Sequence, residues 1–257
     1  MQPRLQPTSL DATGERGNYL SRRGEIETYF DRTAAQAWAR LTSDAPLGRV
    51  RASVRAGRDR MRATLLSWLP QDLAGRRLLD AGCGTGALAV EAARRGADVV
   101  AIDLSPTLVA LAAERLPANV ARRILFLSGD MLDDGLGRFD HAVLMDSLIH
   151  YRSGQAVGAL ERLAPRVRES IVFTHVPSNP LLVTMRAVGR CFPRGDRAPD
   201  VEPVAHARLA RELSAAPGLA RWRVARDERV SSGFSGKAPS AQPANSSGRY
   251  IAIPENV

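Results

Sequence analysis

Apolar residues recur along this chain in two rhythms that take turns. Between Arg77 and His175, the runs RLLDAG, DVVAIDL, RILFLSGD, DHAVLMDS and SIVFTH are short, rich in Val, Ile and Leu, and bounded by Gly, Asp or Ser. They read as strands. Stretches at helical spacing fall over 86–95, 106–116 and 153–165. Strand and helix alternating through short connections predict an α/β fold, a doubly wound and mostly parallel sheet with helices on both faces.

The flanks follow other patterns. Residues 1–20 are polar with Pro and Gly and read as a flexible arm. Residues 21–70 read as an N-terminal helical cap, with one helix from Glu25 to Leu41 and a second from about Val50 to Leu69 that stops at Pro70. In the second helix Val50, Val54, Met61, Leu65 and Trp68 form the apolar stripe, and Arg49, Arg51, Arg55, Arg58, Arg60 and Arg62 fill other positions as a solvated basic face. The sheet domain spans 71–234, with a helical insertion after strand 5 at about 178–217 and a further strand in RWRVARDERVSSGF. Residues 235–257 are rich in Ser, Pro, Ala and Gly and read as an atypical, disordered tail, apart from an apolar piece at Tyr250 to Ile253.

Composition narrows the class. The 257 residues are 44% hydrophobic, which suits a globular domain. A net charge of +9, nearly all from Arg, fits an anionic partner. Cys83 and Cys191 make neither a disulfide framework nor a zinc site, which points to a reducing, cytoplasmic compartment. No apolar run is long enough to span a membrane, and the N-terminus lacks the apolar core of a secretory signal.

The chemistry gathers where the strands end. Asp80, Asp103, Asp130 and Asp146 each close one of the first four strands, at the edge where doubly wound sheets bind ligands. After Asp80 comes a glycine turn, Gly82, Gly84 and Gly86, which lets a ligand approach the backbone closely. The turn alone fits either a dinucleotide or S-adenosylmethionine. Asp80 weighs against the dinucleotide, because a carboxylate there repels a pyrophosphate. S-adenosylmethionine carries a sulfonium and an α-ammonium group that an acid attracts. Asp103 suits the ribose hydroxyls, Asp130 the adenine amino group, and Met131 the face of the ring. Together these acids and the turn favour the methyl donor.

At these residues the chain resembles the class I methyltransferases, whose sheet is Rossmann-like: LLDAGCGTG looks like their first motif, VVAIDLS with Leu104 their second, and SGDM their third. The flanks YFDRTAAQAWARL, VRASVRAGRDRMRATLLSWL, MDSLIHY and VPSNPLL…CFP resemble the magnesium-protoporphyrin IX O-methyltransferases of chlorophyll and bacteriochlorophyll synthesis. That resemblance implies methyl transfer from S-adenosylmethionine to one propionate of magnesium protoporphyrin IX. It implies His150 and Tyr29 as the catalytic pair. His141, His175 and His206 show no ligand spacing with one another, so no protein-bound metal is expected, and the magnesium would arrive in the substrate. Arg55 and Arg58 are candidates to meet the porphyrin carboxylates. The porphyrin-binding subunit of magnesium chelatase and the face of a photosynthetic membrane are the implied neighbours. The tail departs from the family pattern and leaves the last strand either missing or supplied by RYIAI.

Two other classes compete. The positive charge suits a nucleic-acid methyltransferase, but MDSLIHY lacks the proline-rich turn that base-amino methylation commonly uses, so no nucleic-acid partner is expected. The other is a cofactor-binding assembly subunit without catalysis, which only an assay separates from the enzyme.

Overall fold

The computed structural model describes residues 14–34, 49–178, 201–227, 230–231 and 246–254. Its centre is a sheet in the order β3-β2-β1-β4-β5-β8-β6, with the short β7 pairing β8. The strands are β1 (Arg77–Ala81), β2 (Asp98–Asp103), β3 (Ile124–Ser128), β4 (Phe139–Leu144), β5 (Val167–His175), β6 (Trp222–Asp227), β7 (Val230–Ser231) and β8 (Ser246–Pro254). β1 to β5 are parallel, and β8 runs antiparallel to β5 and β6. β1 lies between β2 and β4. The strand order therefore reverses at β1, and a crevice opens beyond its carboxyl end.

The sheet forms because its strands are apolar on both faces, as a parallel sheet covered on two sides requires. Side chains alternate between faces with period two. Leu79, Ala81, Val100, Ile102, Ala142, Leu144, Ile171 and Phe173 join one apolar cluster, and Leu78, Val99, Ala101, Phe126, Val143 and Val172 join another.

Each cluster has its own helices: α1 (Gly14–Thr28), α2 (Arg49–Ser67), α3 (Ala87–Arg94), α4 (Pro106–Glu114), α5 (Ser153–Leu163) and α6 (His206–Ala215). α5 and α6 cover the first face, with Leu160, Leu163, Leu209 and Leu213 buried. α3 and α4 cover the second, with Leu88, Ala92, Val109 and Ala112 buried. α4 starts where it does because Pro106 follows Ser105, whose hydroxyl accepts from Leu108 N, a normal N-cap.

The N-terminal region departs from the expected arm and cap. Residues 14–20, expected in a flexible arm, belong to α1, and Tyr19 is buried. α1 passes directly into a six-residue π-helix, Tyr29–Ala34. The two cap helices serve opposite faces: Tyr19 and Ile26 of α1 join the first cluster, and Met61, Leu65 and Leu66 of α2, with Leu69 just past its end, join the second. The stripe on α2 is rotated from the expected one, since Val54 is 41% exposed while Leu66 is buried beside Met61 and Leu65. The first expected helix runs on to 41, and residues 35–41 lie outside the described residues.

The C-terminal region differs as well. The last strand is supplied by β8, which contains RYIAI and sits between β5 and β6. The stretch expected to be disordered therefore contributes a strand over Ser246–Pro254. Of the insertion at 178–217, the described part is an extended segment bridged by Val204 to Pro177, followed by α6.

Candidate active site

The crevice beyond β1 is built on the glycine turn. Gly82 N and Cys83 N both donate to Ile102 O, at 2.8 and 3.1 Å, which ties the turn to the end of β2. Gly82, Gly84 and Gly86 have φ of 81°, 53° and 79°, a region that disfavours a side chain. Their surroundings differ. A Cβ on Gly82 would lie 2.5 Å from Ser147 Cβ, and one on Gly86 2.7 Å from the Phe126 ring. A Cβ on Gly84 would meet nothing within 4 Å. Two of these glycines thus permit internal packing, and the third leaves bare backbone facing open space. α3 begins at Gly86, so the positive end of its dipole points into the crevice.

Asp80 lies under this turn with 1% of its surface exposed. Its Oδ2 has no hydrogen-bond partner among the described residues. Burial, with Asp103 nearby, pushes its carboxyl up to about 7, against the pull of the Ala89 backbone and Arg62. A buried acceptor left open under a glycine turn suits a cationic group, which would stabilise the carboxylate. Burial also raises the Cys83 thiol, as do Asp103 and Asp80, so this cysteine is a small packed side chain.

Asp103 accepts from Gly84 N through Oδ2 at 2.8 Å and from Ser105 N through Oδ1 at 2.9 Å. Burial raises its pKa, and backbone N–H groups of Ser105, Gly84 and Leu104 oppose the rise. Each carboxylate oxygen has a second lone pair for hydroxyl donors. Leu104 is half-buried against the first cluster, and Met131 is buried within it.

Asp130 is held by α1. Its Oδ1 accepts from Tyr19 Oη at 3.1 Å and Leu132 N at 2.9 Å, and its Oδ2 pairs with Arg23 at 3.0 Å. Tyr19 stacks on Tyr151 with ring centroids 5.2 Å apart. Burial, Tyr151 and Asp130 together hold the Tyr19 hydroxyl well above its usual range, so it stays a donor. Asp146 also faces protein partners: Oδ2 pairs with Arg58 at 2.7 Å and Oδ1 accepts from Thr174 at 3.2 Å. Its φ is +58°, a strained value for a residue with a side chain. Arg58, a candidate for the porphyrin, is in this structure a bridge from α2 to the end of β4.

Phe30 stands between the two residues expected as the catalytic pair, in contact with each. His150 closes the 3-10 turn Leu148–His150 after β4 and is buried. Its ring meets Phe30 edge-on, with centroids 5.6 Å apart. Phe30 in turn meets Tyr29 at 5.2 Å. The π-helix thus carries Tyr29 and Phe30 to the β4 end of the crevice. Asp31 fixes it there, its Oδ1 accepting from Ser105 Oγ and Thr107 N, both at 3.1 Å. Sequence reasoning missed Tyr19, Arg22, Arg23 and Asp31. The signal present was weak: Tyr19, Arg22, Arg23 and Ile26 fall at helical spacing on one face. Among the described residues, no group of three or more His, Cys, Asp or Glu is placed to hold a metal ion.

Comparisons with known proteins bear on the family and the fold. The family described as "Magnesium-protoporphyrin IX methyltransferase C-terminus" matches residues 144–237, and that described as "Methyltransferase domain" matches residues 78–170. The chain is 49% identical over 195 residues to the magnesium-protoporphyrin O-methyltransferase of Rhodobacter capsulatus, covering 76% of this chain and 87% of that one. It is 28% identical over 172 residues to the magnesium-protoporphyrin O-methyltransferase of Synechocystis, covering 65% and 74%. The crystal structure of a Synechocystis magnesium protoporphyrin IX methyltransferase with bound SAH shares the fold, with a TM-score of 0.75 and 22% identity over 91% of this chain and 99% of that one. Among the described residues no helix is long and apolar enough to cross a membrane.

Proposed function

The chain belongs to the magnesium-protoporphyrin IX O-methyltransferase family, and from that premise we propose that it transfers a methyl group from S-adenosylmethionine to a propionate carboxylate of magnesium protoporphyrin IX, giving the monomethyl ester of chlorophyll and bacteriochlorophyll synthesis. The observation that carries this reading is the 49% identity to the Rhodobacter capsulatus enzyme over 87% of its length.

The residues fit the methyl donor. The open, buried Oδ2 of Asp80 would accept from its α-ammonium group, and bare backbone at Gly84 leaves room beside it. Gly82 and Gly86 shape the turn, and the N-terminus of α3 would face the donor's carboxylate. Asp103 would accept from the ribose hydroxyls and Asp130 from the adenine amino group. Leu104 and Met131 would line the ring. Asp146 would close the β4 side with its carboxylate held by Arg58 and Thr174. When bound, S-adenosylmethionine supplies an electrophilic methyl group next to a sulfonium.

The acceptor makes few demands. A propionic acid has a pKa near ~4.5, like Glu, and is an anion at pH 7. It needs no general base. It needs loss of water and alignment, and alignment supplies roughly 7–11 kcal/mol in favourable cases. His150 and Tyr29 would each donate to one carboxylate oxygen and leave a lone pair facing the methyl group. Phe30 between them excludes water. We extend the reading to the surroundings: the Arg-rich face of α2 and the charge of +9 support docking on an anionic membrane surface and receipt of porphyrin from the porphyrin-binding subunit of magnesium chelatase.

The test is a single-turnover assay with methyl-labelled S-adenosylmethionine and magnesium protoporphyrin IX. Label is expected in a base-labile porphyrin ester. An enzyme that binds the methyl donor yet leaves the porphyrin unlabelled overturns the reading.

A further inference from the structure

We propose that Arg22 is a positioning residue for the methyl transfer, fixing the turn that carries His150 from the opposite side of the crevice. The inference rests on the assignment of His150 to the substrate carboxylate.

The carbonyls of the turn carry the argument. Buried backbone acceptors are nearly always paired. Leu148 O accepts from Tyr151 N at 3.1 Å, and Ile149 O accepts from Glu202 N at 2.8 Å. Both are backbone bonds. His150 O accepts instead from Arg22 Nε at 2.8 Å, a side chain 128 residues away in sequence. The chain becomes extended at Tyr151, with φ −102° and ψ 147°, so no continuing helix supplies a donor. The Arg22 guanidinium is itself oriented, since Nη1 pairs with Glu25 one turn along α1 at 2.9 Å. A planar fork held at two points fixes direction as well as distance.

The other contacts of α1 make this a clamp. Tyr19 stacks on Tyr151, next in sequence to His150. Phe30, just past the end of α1, stands against the His150 ring. Arg23, adjacent to Arg22, pairs with Asp130. Consecutive residues of one helix thus hold the acid expected at the adenine end and the turn expected at the acceptor end. Asp130 has two further donors, whereas Arg22 supplies the bond that ties the His150 backbone to α1.

The test uses the full-length protein in single-turnover assays. Arg22→Met keeps the side-chain length and removes the donors. It should slow methyl transfer by about tenfold or more, because small misplacements of a reacting group cost this much. Affinity for S-adenosylhomocysteine should stay within about twofold. Arg22→Lys, which keeps a donor, should recover part of the rate. In a His150→Ala background, Arg22→Met should add little, because a residue that acts through the imidazole has nothing left to position.

The outcomes separate the two claims. If His150→Ala alone does not slow transfer, the assignment of His150 fails and this inference with it. If His150→Ala slows transfer and Arg22→Met does not, only the inference fails. An equal loss from Arg22→Met in both backgrounds overturns it too. Should Arg22→Met fold poorly, the Arg22→Lys rate in the two backgrounds decides in the same way.

Discussion

Tyr19 and Asp130 are bonded across 111 residues of chain, phenol to carboxylate at 3.1 Å, and the bond fastens α1 to the end of β3. Hydrogen bonds to charged groups contribute about 1.5–3 kcal/mol. Asp130 keeps Leu132 N and Arg23 when the phenol is lost, so the low end applies. Tyr19→Phe should lower stability to urea by about 1.5 kcal/mol, with the stack on Tyr151 retained. Tyr19→Ala should lower it by about 3 kcal/mol or more, since a buried aromatic is removed. Equal losses in the two variants would show that the hydroxyl is the whole of the contact. No loss in either would mean that α1 does not dock through Asp130.

Asp80 gives a pH dependence. Its carboxyl is raised to about 7, so below that pH the unliganded protein holds a proton there. A cationic ligand favours the carboxylate, so binding must release this proton. Affinity for S-adenosylhomocysteine should therefore rise as pH increases from about 5.5 towards 7 and then level off, and calorimetry in buffers of different ionisation enthalpy should detect the released proton. The stability term has the opposite slope. With the folded value above the unfolded one, this group's contribution is full below about pH 4 and is lost as pH rises through about 7. Asp80→Asn should flatten both curves. A binding curve that keeps its slope in Asp80→Asn would assign the proton to another group.

The glycine turn predicts two kinds of failure. Gly82→Ala places a Cβ 2.5 Å from Ser147 Cβ at φ 81°, so it should destabilise the fold by roughly 3 kcal/mol, from the overpacking and left-handed costs combined. Gly84→Ala meets no protein atom, and should cost about 1–2 kcal/mol from φ alone. It should nevertheless lose most affinity for S-adenosylhomocysteine, because its methyl fills the space left for the ligand. Wild-type affinity in Gly84→Ala would move the ligand away from this turn.

Much of this was legible in the sequence, and the parts that were not share a cause. The parallel strands announce themselves because each is apolar on both faces, as Val99 to Ile102 are. The strand-end acids and the glycine turn are local features, readable one at a time. α1 was not legible over residues 14–20 because Gly14 and Gly17 break the propensity, and the buried side chains among its described residues, Tyr19 and Ile26, are seven positions apart. β8 was legible only as one of two alternatives, because RYIAI lies among Ser, Pro and Gly, and its partners on β5 and β6 are remote in sequence. The pairs Tyr19–Asp130 and Arg22–His150 have no local signature at all. They depend on how far α1 reaches across the sheet edge. On α2 several apolar positions share similar spacing, and only packing selects Leu66 over Val54.

The two N-terminal helices should respond differently to disruption, because they belong to opposite faces of the sheet. Among the described residues, α1 contributes Tyr19 and Ile26 to the buried clusters, and α2 contributes Met61, Leu65 and Leu66, with Leu69 just past its end. Burying such a side chain is worth about 1.5–3 kcal/mol. The three on α2 and Leu69 after it together match the whole stability of a typical domain, about 5–15 kcal/mol. Leu65→Ala should therefore cost about 2–5 kcal/mol and lower the yield of folded protein. Removing residues 1–34 should leave a folded sheet domain. That truncated protein lacks Tyr19 and Arg23 at Asp130, Phe30 beside His150, and Tyr29 behind Phe30. It should still bind S-adenosylhomocysteine, held by Asp80, Asp103 and the glycine turn, with affinity reduced about tenfold for the loss of roughly 1.4 kcal/mol of closure at the adenine end. It should not esterify the porphyrin. Circular dichroism, calorimetry and the single-turnover assay read the three properties separately. Wild-type turnover without residues 1–34 would remove Tyr29 from the mechanism, and an unfolded truncation would show that α1 belongs to the core and does more than cover the site.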